Sequence, residues 1–267
     1  MTISALSTRS PAVAGLFYPR GAASLSHSIR RMLEDAHPAS GTAPKALIAP
    51  HAGYVYSGAI AASAYVLLAP ARDIIERVVL LGPTHRVAVR GLALPSVSRF
   101  MTPLGSVNIA ASACETLRHL SQVVVDDAAH AQEHSLEVHL PFLQTVLTNF
   151  ELIPLAVGHA DAEEVAAVLD TLWGGPETLI VVSSDLSHYH SYGQALTIDS
   201  ATADAILELR TDIDHKQACG ATPVCGLALT ARRRHLRPRL LDLRSSGDTA
   251  GDKTRVVGYG AFAFYEA

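Results

Sequence analysis

The strongest constraint on the fold of this chain is a set of apolar runs that each end at a polar side chain. Residues 45–50 lead into His51, residues 78–84 into His85 and residues 178–184 into Asp185. A short continuous apolar run bounded by turn residues is typical of a strand buried on both faces of a parallel sheet. In open α/β sheets the ligand crevice lies beyond the carboxyl ends of such strands. The pattern therefore predicts that the three side chains share one site.

Segments with helical spacing separate these strands along the chain. The predicted helices cover residues 24–36, 57–68, 111–120, 133–149 (interrupted in its interior by Pro141), 162–173, 198–209 and 224–236. Further strands are predicted at 123–125, 150–157 and 255–265, with a hairpin or an insertion between residues 90 and 110. Alternating strands and helices favour an α/β fold with a mostly parallel or mixed central sheet flanked by helices. The sequence has neither a linker-like segment nor an internal repeat, so we expect one domain over residues 1–267.

Composition and charge exclude several classes of protein. A hydrophobic content of 49% with 17% charged residues indicates a globular core. The formal net charge of −4 offers no general attraction to nucleic acid or anionic lipid. Three cysteines without framework spacing argue against a disulfide-stapled secreted fold. The chain starts without a signal-peptide pattern, and the apolar segment 56–70 is too short to span a bilayer. We therefore expect a cytoplasmic protein that binds neither nucleic acid nor a membrane.

Two histidines lie at turns directly after predicted strands. His51 stands between Pro50 and Gly53, and such a turn can aim a side chain away from the strand end. His85 follows its strand in the same way, after the residues GPT. A single histidine at such a turn is more often a structural hydrogen-bonding residue. Two of them at neighbouring strand ends favour a shared metal-binding or catalytic role.

The third strand is followed by one aspartate and two histidines, His188 and His190. If the chain turns into a helix after Ser184, Asp185 and His188 share a face of that helix. An aspartate beside a histidine sets its tautomer and keeps a proton on it, as a general acid or base requires. The alternative is that Ser184 or Asp185 only caps a helix. We predict that His188 is the acid/base group and that Asp185 orients it.

Two further segments carry candidate site residues. The segment 130–139, HAQEHSLEVH, differs from the zinc-protease helix, which needs two histidines four apart with a glutamate directly after the first. Within it we predict that His134 faces the crevice, the alternative being a solvated helix start. Cys219 lies shortly before the predicted helix at 224–236, and a helix N-terminus lowers the pKa of a cysteine. From its spacing alone, the role of Cys219 as a ligand or nucleophile stays open.

Seven segments in this chain resemble the Memo family, whose bacterial and archaeal members are called AmmeMemoRadiSam system protein B. They are PAVAGLFYP at 11–19, APHAGYVYSG at 49–58, LGPTH at 81–85, EHSLEVHLPF at 133–142, SSDLSH at 183–188, CGATP at 219–223 and SGD at 246–248. The segments occur in order and cover most of the chain. The resemblance implies a fold and pocket similar to those of class III extradiol dioxygenases, the non-haem iron enzymes that open catechol rings.

The resemblance also implies a set of site residues. The metal ligands would be His51, His85 and Cys219, with the acid/base pair Asp185 and His188 close by. Substrate-binding positions are expected at Tyr54, His134 and His190. Extradiol enzymes bind Fe(II) through two histidines and a carboxylate, whereas the third ligand here would be a softer thiolate. Fe(II) is the expected metal, and Cu or Zn are alternatives for such a donor set.

These expectations lead to one main functional hypothesis and two alternatives. The main hypothesis is a metal-dependent oxidoreductase that activates a small molecule bound in the strand-end crevice. One alternative is an adaptor module that uses the same pocket for a peptide or a partner protein, for which the family's naming suggests a radical SAM protein. The other is a metal-dependent hydrolase, in which a zinc-bound water cleaves an ester or amide. A shared fold alone does not decide among them.

Overall fold

The computed structural model describes residues 7–36 and 41–266, in which it has twelve strands and eight α-helices. The strands are β1 (Thr8–Arg9), β2 (Ala46–Ala49), β3 (Arg77–Pro83), β4 (Leu92–Leu94), β5 (Arg99–Thr102), β6 (Gly105–Ile109), β7 (Val123–Val125), β8 (Glu151–Val157), β9 (Thr178–Ser183), β10 (His188–His190), β11 (Arg237–Ser245) and β12 (Val256–Tyr265). The helices are α1 (Ala22–Asp35), α2 (Tyr54–Tyr65), α3 (Ala111–Leu117), α4 (Asp127–Ala131), α5 (Leu140–Val146), α6 (Ala162–Leu172), α7 (Tyr192–Leu207) and α8 (Ala221–Arg233). Short 3-10 helices cover Val66–Ala71, Glu137–His139 and Ser246–Asp248.

The strands form one mixed sheet with a parallel centre. Strands β6, β8, β3, β9 and β2 are adjacent in that order, and each pairs with the next in parallel. Strand β12 pairs with β2, β10 and β11 in antiparallel fashion. Helices flank this sheet, so the predicted α/β class with a mixed central sheet is confirmed. The prediction of one domain over residues 1–267 stays a prediction, because residues 1–6, 37–40 and 267 lie outside the described residues.

The central strands are apolar along their whole length because both faces of the sheet are covered. Residues 78–81 of β3 and 179–182 of β9 have no exposed surface. Helix α2, which follows β2, is rich in alanine and largely buried. The helical stretch Tyr54–Ala71 is long and apolar enough to cross a membrane by length and composition, but most of it is buried inside the protein. The apolar character of this stretch is therefore matched by its burial, and the cytoplasmic location stays a prediction.

Two local predictions were wrong in ways that affect the site. The predicted helix at 133–149 begins only at Leu140, with Pro141 in its first turn, where the missing N–H of proline costs nothing. Residues 133–136 are therefore non-helical and cross the ends of the strands. After Ser184 the chain does not enter a helix either. It runs through residues 184–187 into β10, so Asp185 and His188 share no helix face.

Candidate metal centre

Three neighbouring parallel strands bring the predicted residues to one edge of the sheet. Strand β9 lies between β2 and β3, so the carboxyl ends of all three point the same way. His51 comes two residues after the end of β2, and His85 two residues after the end of β3. Their ring centroids lie 5.1 Å apart. The sequence predicted this convergence, and the structure has it.

His134 completes a cluster of three imidazoles. Its ring centroid lies 5.4 Å from that of His51 and 4.7 Å from that of His85. One ligand nitrogen from each of the three rings can be chosen so that all lie within 4.8 Å of one another, and such a group could hold a metal ion. The ring of Phe17, from the N-terminal segment, packs 4.8 Å from that of His134.

The tautomer of His51 follows from a chain of hydrogen bonds. The Ser183 hydroxyl donates its one proton to the carbonyl of Ser135 at 2.6 Å. The same oxygen lies 2.6 Å from Nδ1 of His51, and there it can only accept. Nδ1 of His51 therefore carries the proton, and Nε2 keeps a free lone pair. A partner on one ring nitrogen that fixes the other for a metal is the usual arrangement for histidine ligands.

Glu133 fixes the tautomer of His85 in a similar way. Its Oε1 accepts from Nδ1 of His85 at 2.9 Å, and its Oε2 accepts from the backbone N–H of His85 at 2.6 Å. The backbone N–H groups of His134 and Ser135 also donate to Oε1. Burial would raise the pKa of Glu133, but these hydrogen bonds, led by those of His85, outweigh it and hold the pKa at about 2. Nε2 of His85 is left as the free ligand atom.

The protonation states of the cluster fit a cation. Burial, with the neighbouring histidines, lowers the pKa of His51 well below its usual range. Burial also lowers the pKa of His134 to about 4, although Glu133 opposes this. Both rings are therefore neutral at pH 7, the form that a metal binds. Nitrogens bound to one ion lie roughly 3 to 3.5 Å apart, so only small side-chain rotations separate this cluster from a closed site.

Cys219 lies beside the cluster, on the loop before α8. Its Sγ is 3.3 Å from Nε2 of His51, and its backbone N–H donates to the carbonyl of Asp185 at 3.2 Å. A Cβ on the next residue, Gly220, would come within 2.5 Å of the Ser183 carbonyl, so only glycine lets this loop approach β9 so closely. Burial raises the pKa of the Cys219 thiol, and the charge of Asp185 raises it further.

Asp185 is oriented towards His51. Its Oδ1 accepts from the backbone N–H of His51 at 2.7 Å, and its Oδ2 lies 4.0 Å from Nε2 of the same residue. Burial raises the pKa of Asp185 to about 6, against the effects of His188 and of the His51 N–H. Nδ1 of His188 lies 2.8 Å from the carbonyl of Leu186. A backbone carbonyl therefore sets the tautomer of His188, and the predicted helical pairing with Asp185 is absent.

Tyr54 and His190 are the remaining predicted site residues. The hydroxyl of Tyr54 donates to the carbonyl of Val138 at 2.7 Å, and its ring packs against Tyr18 and Phe142 in the core. A substrate contact by Tyr54 stays a prediction, and it would require that hydroxyl to leave its present partner. His190 is half-buried on β10, and its substrate-binding role also stays a prediction.

Sequence reasoning missed the residues that position the imidazoles. Glu133, Ser135 and Ser183 all lie in segments singled out for their histidines, yet none was assigned a role. The available signal was Glu133 directly before His134, a buried carboxylate beside a candidate ligand. The partner of Glu133, however, is chiefly His85, 48 residues away. The spacing of neighbouring residues could not predict a contact over that distance in the chain.

The chain is similar to known proteins over most of its length. The family model of the Memo-like proteins matches residues 9–263. A MEMO1 family protein of Metallosphaera sedula is 34% identical over 96% of this chain and 99% of its own length. A MEMO1 family protein of Methanosarcina mazei is 36% identical over 95% of this chain and 97% of its own. Among solved structures, the uncharacterized protein JW3007 from Escherichia coli K12 matches with 12% identity and a TM-score of 0.49, over 80% of this chain and 98% of that one.

Proposed function

This chain belongs to the Memo family, and on that premise we propose that it is a non-haem metal-dependent oxidoreductase. The observation that carries the proposal is the cluster of His51, His85 and His134, which could hold a metal ion. Two of these rings have Nδ1 engaged by a buried oxygen, so that Nε2 is free. Burial lowers the pKa of both His51 and His134, so these two rings offer neutral nitrogens to a metal at the ends of the strands.

We propose His51, His85 and Cys219 as the metal ligands. His134 would then lie next to the metal, on the side where the small molecule binds. Cys219 is favoured because its sulfur already lies 3.3 Å from Nε2 of His51. A metal would displace the thiol proton, which burial otherwise retains. The competing set replaces Cys219 by His134 and has three nitrogen donors. Two imidazoles and a thiolate suit Fe(II), with Cu or Zn as alternatives.

When bound, Fe(II) or Cu would supply the activation of a small molecule in the crevice. The protein's own contribution to proton transfer is assigned to His188. Because Nδ1 of His188 faces the carbonyl of Leu186, Nδ1 carries a proton, and Nε2 is the atom that accepts or donates one. Asp185, two residues after the end of β9, is the second member of the proposed acid/base pair. His190 and Tyr54 are proposed to contact the substrate.

Metal analysis with spectroscopy on anaerobically purified protein tests the proposal. Wild-type protein reconstituted with Fe(II) or Cu is expected to bind one metal per chain and to show a thiolate-to-metal charge-transfer band. Cys219→Ser should lose the band and bind metal much more weakly, whereas Cys225→Ser, a buried cysteine on α8, should behave like wild type. Absence of the band in wild-type protein, with metal retained in Cys219→Ser and lost in His134→Gln, would establish the three-histidine set instead.

Turnover requires a separate test. Oxygen uptake is measured with the metal-loaded protein and a panel of catechols and other phenols. Metal binding without any uptake contradicts the oxidoreductase proposal. In that case, cleavage of esters or amides by the zinc-loaded protein would indicate the hydrolase alternative.

One observation favours the adaptor alternative. Large apolar side chains are strongly exposed on the segments that carry Phe17, His51 and His188, namely Leu16, Val55 and Tyr189. Exposed apolar groups beside a pocket are typical of protein or peptide contacts. A stable complex with a peptide or with a radical SAM protein in native cells, combined with no turnover, would support this function.

A further inference from the structure

A buried carboxylate outside the imidazole cluster has no role in the proposed chemistry so far. Asp199 lies on α7 and is only 3% exposed. Its Oδ1 accepts a hydrogen bond from the backbone N–H of Ser187 at 2.9 Å. The same carboxylate presses against Gly258 of β12, where a Cβ would come within 1.9 Å of Oδ2. Any side chain larger than hydrogen at position 258 would therefore displace this group.

Asp199 lacks the ion pair that a buried charge usually has. Among residues 7–36 and 41–266, no basic nitrogen lies within 4.0 Å of its oxygens. Removing an ionised carboxylate from water costs several kcal/mol unless charges or hydrogen bonds compensate. Burial accordingly raises the pKa of Asp199, against the hydrogen bonds from Ser187 and the charges of His188 and His190. A buried carboxylate that has hydrogen bonds but no ion pair is a candidate for a functional role.

The carboxylate holds the segment that carries the proposed acid/base histidine. Ser187 directly precedes His188, and its carbonyl accepts from the N–H of Gly258 at 2.8 Å. The N–H of Leu186 donates to the carbonyl of Gly258 at 2.8 Å, and the carbonyl of Leu186 faces Nδ1 of His188. Asp199, Gly258 and residues 186–188 therefore form one interlocked unit, and His188 is attached to it by both its backbone and its ring.

The titratable and charged groups near His188 come from four elements. Asp185 and His51 lie at the strand ends, and Asp199 lies on α7. Arg255, just before β12, stacks on the ring of the neighbouring Tyr189 at 4.6 Å. Tyr189 itself has φ +64°, a strained backbone conformation for an aromatic residue. Strain of this kind persists only where surrounding contacts enforce it, which agrees with the interlocked backbone on its N-terminal side.

We propose that Asp199 is a positioning residue for His188: it fixes the backbone at Ser187 and, as the buried negative charge behind that segment, keeps a proton on the imidazole. The proposal rests on the acid/base role of His188. Its proton equilibrium can nevertheless be measured without metal or substrate. Failure of the proposed reaction and failure of this inference are therefore separate results.

The test is an NMR titration of the histidine rings in the metal-free full-length chain. Asp199→Asn keeps the shape of the side chain and removes its charge. It is expected to weaken proton binding by His188 about threefold to tenfold, with a smaller effect on His190. Asp204→Asn is the matched control, because Asp204 is exposed on the same helix and should leave both rings unchanged.

A purely structural role gives a different result. Asp199→Asn would then lower the melting temperature while His188 titrates as in wild type, and this outcome overturns the proposal. If Asp199→Asn does not fold, the wild-type chain decides instead. The ¹³Cγ signal of Asp199 must then show a step at the pH where His188 titrates, and the absence of that step overturns the proposal.

Discussion

Two buried glutamates, four residues apart in the same segment, serve different parts of the molecule. Glu133 accepts hydrogen bonds from His85 and from the backbone of His134 and Ser135, all at the candidate metal centre. Glu137 has no exposed surface and accepts from Arg9, from the backbone of residues 12 and 13 and from the Tyr18 hydroxyl. Both carboxylates are fully engaged, so burial alone does not separate them.

The difference lies in what their partners can do. The main partner of Glu133 is an imidazole, which can lose its proton or bind a metal without leaving the carboxylate. The partners of Glu137 are a guanidinium, two backbone amides and a phenol, which stay protonated throughout the physiological pH range. Glu137 therefore ties the N-terminal segment to the sheet, whereas Glu133 links the fold to the chemistry of its site. The predictions below test this division.

The largest effect is expected from Glu137→Gln. It leaves the buried Arg9 without its counter-ion, which typically costs about 3–5 kcal/mol of unfolding free energy. Urea denaturation measures the change. Metal affinity of the folded protein should stay as in wild type, and a loss below about 1 kcal/mol would contradict the structural role of Glu137.

Glu133→Gln should show the reverse pattern. Removing the carboxylate that orients a ligating histidine typically lowers metal affinity about 10- to 100-fold. Isothermal titration with Fe(II) under anaerobic conditions, or with Zn, measures this effect, and Glu137→Gln is the matched control. Equal loss of metal affinity in the two variants would show that Glu137 supports the metal centre as much as Glu133 does.

The pH dependence of stability should come from His134, which lies beside Glu133, and should not depend on Glu137. The folded pKa of His134, about 4, lies below the ordinary value of 6.5, so the unfolded chain takes up a proton first as the pH falls. His134 alone then reduces the unfolding free energy by up to about 1.4 kcal/mol per pH unit between pH 6.5 and 4. Denaturation of the metal-free protein at several pH values should show a flatter slope in His134→Gln. Glu137→Gln should keep the wild-type slope.

The smallest effect is expected from Ser183→Ala. This change removes the acceptor that holds the proton on Nδ1 of His51, at a cost of about 0.5–1.5 kcal/mol in stability. Metal affinity should fall by less than in Glu133→Gln, because His51 is also held by its backbone bond to Asp185. Ser24→Ala, at an exposed hydroxyl on α1, serves as the control. A greater loss of metal affinity in Ser183→Ala than in Glu133→Gln would show that Ser183 contributes more to metal binding than Glu133 does.

Much of the fold could be predicted because buried parallel strands have a distinctive composition. The apolar runs that became β2, β3 and β9 were found to within two residues at each end. Strand β11 was missed because it is an edge strand with a proline, three arginines and an aspartate, a composition that protects an open edge and hides the alternating pattern. Strand β10 was missed because three residues, HYH, contain no periodicity.

The site was predictable in its location and less so in its contacts. His51, His85 and Asp185 could be placed together because parallel strands end at a common edge. The position of His134 depends on a non-helical segment that Pro141 prevents from joining α5. The placing of Cys219 beside His51 depends on Gly220 allowing a loop 168 residues away to touch β9. Contacts between residues so far apart in the chain cannot be predicted from the spacing of neighbouring residues.

The Arg9–Glu137 ion pair joins positions 128 residues apart in the chain. During synthesis on the ribosome, the segment made first therefore waits for half of the protein to emerge before it is fixed. The candidate donors at positions 51, 85, 134 and 219 are likewise spread along the chain, and the last appears after about four fifths of the 267 residues. If the proposed site binds a metal, it can therefore do so only at the end of biogenesis, because a nascent or truncated chain lacks part of the donor set.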